Sequence, residues 1–83
     1  MSIHSQAVTT ELQVTWNEFR YRLMYHAPKG WTIIRAPISR PWIPPVMERL
    51  TMEGWHTVMG NDHPETNYHD TAVDALDAIE QLG

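Results

Sequence analysis

His56, Asp62, His63, His69 and Asp70 crowd one stretch of this chain. Imidazole nitrogen and carboxylate oxygen are good zinc ligands, and three such groups plus a water make an open catalytic site. A metal-dependent enzyme built on His56, His63 and His69 is therefore one reading of these residues. Their spacing matches no metal-binding signature, however, and the Pro64–Tyr68 stretch between two of the histidines fixes no geometry. Polar loop residues are the plainer reading, with Asp70 taken up as a helix cap. Nucleophilic catalysis has still less to draw on. The chain has no cysteine, and Ser2, Ser5 and Ser39 sit in no glycine-flanked elbow. Its glycines are scattered singly, so no phosphate-cradling loop is present. The residues point to no enzyme and imply no cofactor and no bound metal.

Charge is the more informative feature. Residues 1–50 carry all six Lys and Arg against three acids, whereas residues 51–83 carry seven acids and no Lys or Arg. A compact domain built this way has a lopsided field that steers which partners approach and from which side. Arg20, Arg22, Arg35 and Arg40 are interleaved with Tyr21, Tyr25 and Trp31. A basic, aromatic sheet surface of this kind pairs phosphates and stacks bases. The competing reading packs one face under helices while the arginine stems cover the other. In the acidic half, Asp70, Asp74 and Asp77 recur at one helical turn with Glu80 beside them, a line of carboxylates suited to a basic groove on a partner. Such a run is also how a solvated helix face keeps a small protein soluble. In Arg40-Pro41-Trp42-Ile43-Pro44-Pro45 the prolines hold a Trp with little entropy left to lose on docking, and Trp and Arg dominate interface hot spots.

These side chains depend on the elements beneath them. The run 10–26 reads two ways. Leu12, Trp16, Phe19 and Leu23 make a helical stripe behind a Thr10-x-x-Gln13 capping box, while Phe19–His26 alternates as a strand does. Turn chemistry at Ala27-Pro28-Lys29-Gly30, followed by Trp31-Thr32-Ile33-Ile34-Arg35, favours a hairpin. Leu12, Val14 and Trp16 alternate too, so a further strand can precede it. Pro44-Pro45 suits the first turn of a helix with Val46, Met47 and Leu50 as its buried side and Gly54 as its stop. Trp55–Met59 reads as a short strand. The last helix has Asp70 or Thr71 as cap, Thr71-x-x-Asp74 as capping box and Ala72, Ala75, Leu76, Ile79 and Leu82 as its apolar face. The expected fold is α+β, a small antiparallel sheet (hairpin or meander) with two helices on one face. With residues 10–26 helical instead, the order becomes αβαβα.

A hairpin ending in Gly-Trp-Thr-Ile-Ile and a helix reading Asp-Thr-Ala-Val-Asp-Ala-Leu-Asp-Ala-Ile resembles the small partial-RNase-H-type antitoxin domains. The resemblance covers under half of the chain, with a proline-rich loop and an extra expected helix intervening. It implies only a broad class, small proteins that act by binding.

Eighty-three residues make one domain, with residues 1–9 expected to fray. The lack of cysteine fits the cytoplasm. No apolar run approaches the roughly 18–20 residues that span a bilayer, and no secretory signal opens the chain. The expected function is a small acidic protein-binding module, an inhibitor or adaptor of the phage or toxin-system type, for example anti-CRISPR-like. It would occlude a basic surface of a protein or nucleoprotein complex through Asp70, Asp74, Asp77 and Glu80, anchored by Trp42 and Arg40. The alternative is a nucleic-acid-binding module using Arg20, Arg22, Tyr21 and Arg35. Apolar residues around Trp42 could equally serve a homodimer.

Overall fold

The computed structural model describes residues 10–38, 46–60 and 64–82. Five strands, β1 (Glu11–Trp16), β2 (Phe19–His26), β3 (Gly30–Pro37), β4 (Glu48–Thr51) and β5 (Gly54–Thr57), form one antiparallel meander in chain order. A single helix, α1 (Ala72–Leu82), follows. Alternation dictates the first three strands: Leu12, Val14, Phe19, Tyr21, Leu23 and Ile33 fall on one face, and the polar residues between them on the other. Asn17 and Glu18 make the two-residue turn between β1 and β2, both at positive φ (47° and 66°). That backbone twist matches the twist of the flanking strands.

β3 and β4 pair only at Ile34–Arg49 and Arg35–Glu48. Beyond these pairs the segment 64–69 supplies partners to both strands. Thr66 bridges to Thr51 and His69 to Trp31. Trp31 N–H donates to His69 C=O at 2.7 Å, and Asn67 N–H donates to Leu50 C=O at 3.2 Å. Backbone groups that diverging strands would leave orphaned are thereby satisfied.

Thr71 starts the helix as the sequence leads one to expect. Its Oγ1 accepts from Asp74 N–H at 3.1 Å, and its carbonyl accepts from Ala75 N–H at 3.2 Å. The helix lays Ala75 and Ile79 on Tyr21, Leu23, Ile33 and Leu50, which together form the buried core. Leu82, expected on the apolar face, is 55 % exposed at the helix end.

Two expectations about the fold are corrected. The sheet carries one helix, because residues 48–51 are strand β4, not part of a helix from Pro44 to Gly54. Leu50 is buried among core residues as a strand position beside Trp55, and Gly54 at φ 105° closes the β4–β5 hairpin instead of ending a helix. Glycine signals both events, and a short apolar run has no period of its own. Pro44 and Pro45 lie outside the described residues, as do residues 1–9. The helical alternative for residues 10–26 also fails. Its stripe of Leu12, Trp16, Phe19 and Leu23 consists of two cross-strand pairs, Leu12–Leu23 and Trp16–Phe19. A two-residue turn happens to place such partners at helical spacing. No helix among the described residues is long and apolar enough to cross a membrane.

Candidate nucleic-acid interface

Among the described residues α1 covers one face of the sheet, and the other face carries the alternate residues of each strand. Gln13, Arg20, Arg22, Met24, His26, Thr32, Ile34 and Arg49 occupy it. Arg20 and Arg22 are exposed and Arg49 is half-buried. Two shallow depressions share Ile34 as their divide. One, of about 140 Å³, is lined by Gln13, Arg20, Arg22, Ala36 and Met47, together with Tyr21 and Arg35, whose strand positions are those of the helix side. The other, of about 340 Å³, is lined by Met24, His26, Thr32, Arg49, Thr66 and Tyr68. Tyr68 closes that end, edge-on to His26 (centroids 6.5 Å apart) with Lys29 Nζ 5.5 Å from its ring centre.

Two acids lie on the strands, and they differ in position. Glu11 is on the open face and pairs with Arg22 at 2.9 Å, both side chains nearly half exposed. An ion pair so exposed holds the arginine weakly. Glu48 is on the helix-side face and pairs with Arg35 at 3.0 Å.

Of the arginine and aromatic residues singled out from the sequence, Arg20 and Arg22 meet on the open face while Tyr21 and Arg35 do not join them. Tyr21 is fully buried beneath the helix. Arg35 lies on the helix side, its guanidinium 4.2 Å from the Phe19 ring centre and 4.0 Å from that of Trp55. Sandwiched and ion-paired with a side chain only 15 % exposed, Arg35 supports the sheet instead of meeting a ligand. Tyr25 and Trp31 stack on each other, also on the helix side, 5.6 Å between centroids. Among the described residues the open face is thus an arginine surface with one aromatic, Tyr68, at its end.

Arg49, Gln13 and Tyr68 belong to this face without having been anticipated. Arg49 would have been found by giving residues 48–51 the alternation of a strand. Tyr68 depends on where segment 64–69 crosses, for which the sequence holds no local signal.

Asp70, Asp74, Asp77 and Glu80 are all exposed, and among the described residues none of them forms an ion pair. Arg40, Trp42, Asp62 and His63 lie outside the described residues. His69 is tied through its backbone to Trp31, and its Nδ1 is buried without a partner. His56 lies opposite Arg49 on the sheet. No group of three or more possible metal ligands comes together among the described residues.

No protein-family model matches the chain, and neither a curated protein nor a solved structure does. The resemblance to antitoxin domains gains no support from these comparisons.

Proposed function

We propose that this protein is a non-catalytic module that binds a nucleic-acid duplex on the open face of its sheet. The observation that carries the reading is the segregation of charge across the sheet. Arg20, Arg22 and Arg49 share a face whose one strand acid, Glu11, is already paired, while the helix carboxylates lie on the far side. Net charge of −4 counts against nucleic-acid binding only when the charges are mixed. Here the phosphates meet the arginines with the helix acids turned away. The scarcity of aromatics among the described residues of this face favours a duplex over single strands, for which base stacking on aromatic side chains is a main contribution. Sheet strands do enter DNA grooves, and Arg and Gln are the side chains that read guanine and adenine edges there.

Fluorescence anisotropy with labelled duplex and single-stranded oligonucleotides over a salt series tests this. Duplex binding should weaken steeply with salt, with a slope of roughly −0.9 per phosphate contacted. Arg20→Ala with Arg22→Ala should flatten that slope by about two contacts. Absence of binding at low salt, or a double variant that binds as well as the parent, refutes the proposal.

A second reading has its own observation, the exposed and unpaired carboxylates of Asp70, Asp74, Asp77 and Glu80. In that reading the protein is an inhibitor or adaptor whose helix occludes a basic surface of a protein partner. Asp74→Lys with Asp77→Lys should then abolish capture of the partner while circular dichroism stays unchanged. Capture that survives the reversal removes this reading.

A further inference from the structure

β1 is an edge strand, and its pairing pattern can be read from one bond. Tyr25 N–H donates to Thr10 C=O at 2.9 Å. In an antiparallel ladder, opposed residues alternate between pairs that exchange hydrogen bonds and pairs that do not. With the observed register, Leu12, Val14 and Trp16 therefore bond inward to β2. The N–H and C=O groups of Glu11, Gln13 and Thr15 point out of the sheet, and no described residue bonds to them.

Natural proteins shield such edges with proline, lysine, a bulge, a covering segment or very short length. β5, at the opposite edge, is four residues long. β1 has six residues, no proline or lysine, and an uninterrupted register against β2.

We infer that β1 is the contact between two copies of this chain, paired antiparallel about a two-fold axis through Gln13. The sequence Glu11-Leu12-Gln13-Val14-Thr15 is symmetric about Gln13 in its alternation of polar and apolar residues. Pairing on that axis sets Gln13 against Gln13 and Glu11 against Thr15 of the second copy, so every outward backbone group of the three residues finds a partner. Moving the axis to Val14 leaves Glu11 without one. The faces agree as well, since Leu12 meets Val14 of the second copy on the helix side.

Charge fits the same register. Thr15 is opposite Arg20 within each copy. Glu11 of one copy therefore lies across the small Thr15 from Arg20 of the other, about 10 Å between Cα atoms at two strand spacings. Those long side chains span that gap, and no like charges are opposed across the axis. A closed two-fold pair is also the commonest form of self-association. The two open faces would then continue into one sheet, an arrangement that does not depend on what that face binds.

Gln13 allows a test that spares the fold, because its N–H lies outside the β1–β2 ladder and proline is tolerated at such an edge position. Sedimentation equilibrium should show a dimer, and amide exchange should protect Glu11, Gln13 and Thr15. Gln13→Pro should be monomeric with an unchanged circular-dichroism spectrum. Gln13→Lys and Gln13→Glu should each be monomeric alone and dimerise when mixed, since opposite charges then meet on the axis. A monomeric parent protein overturns the inference. So does a dimer that survives Gln13→Pro, or one in which those three amides exchange freely.

Discussion

Among the described residues Tyr21 is the largest fully buried side chain, and its hydroxyl has no hydrogen-bond partner there. A buried polar group left unpaired costs about 1–3 kcal/mol, whereas a matched apolar replacement restores most of that. Tyr21→Phe keeps the ring and its tilted contacts with Phe19 and Trp55, each 6.0 Å between centroids. The variant should gain about 1 kcal/mol, which for a domain of this size raises Tm by about 4–8 °C. A thermal melt showing a loss instead would mean that the hydroxyl is satisfied in solution. The same substitution bears on function. Tyr21 lies on the side of the sheet away from Arg20 and Arg22, so Tyr21→Phe should leave oligonucleotide affinity unchanged. Arg35 obeys the same geometry, because its guanidinium packs on the Phe19 and Trp55 rings and its Nε donates to Glu48 on the helix side of the sheet.

At the scale of elements, the least predictable part of the fold is the segment 64–69 that completes the pairing of β3 and β4. It packs tightly against Gly30, where φ is +125° and an added Cβ would lie 2.5 Å from the His69 carbonyl oxygen. Backbone oxygen cannot rotate away as a side chain can, and the dihedral itself disfavours any L side chain. Gly30→Ala should therefore cost about 3 kcal/mol, combining the conformational penalty with displacement of the segment. Denaturant titration measures this, and Gly54→Ala is the control. At Gly54 φ is +105° but nothing lies within 4 Å, so only the smaller backbone term applies. The sequence does mark Gly30 as a turn residue, yet nothing local says that another strand will press on it. The same division runs through the whole fold. Caps and alternation are local, so Thr71, the C-terminal helix and the β2–β3 hairpin are legible. The face shared by Arg20 and Arg22 is legible for the same reason, by parity alone. The expected helix from Pro44 to Gly54 differs from strand β4 and its hairpin because Val46, Met47, Leu50 and Gly54 satisfy a helix template and a hairpin template alike. Arg49 belongs to the site only as a strand residue, so a helical template does not place it there. Tyr68 enters the site only through tertiary placement.

Across the described residues, the sheet arginines and the helix carboxylates lie on opposite sides of the sheet. The helix carboxylates and the sheet arginines would compete for a phosphate if they were close, so their separation decides whether the acidic half opposes binding. A helix with its side chains is about 10–12 Å across, and the outward carboxylates of α1 stand beyond that thickness from the open face. The Debye length is about 8 Å at 0.15 M ionic strength and about 30 Å at 0.01 M. At the higher ionic strength the acids are therefore screened from a ligand on the arginine face, and at the lower they are not. Asp74→Asn with Asp77→Asn should leave duplex affinity unchanged near physiological salt and raise it by about two- to fivefold at 0.01 M. Asp74 and Asp77 are exposed and neither belongs to the core, but Asp74 is the acidic residue of the helix's first turn, so a thermal melt of the variant accompanies the comparison. Equal strengthening at both salt concentrations would place the carboxylates within reach of the ligand and contradict the segregation on which the interface rests. Loss of affinity would go further and make the helix part of the binding surface. The variant also separates the two functional readings, because a partner held by the helix is released by the very change that a ligand on the opposite face tolerates.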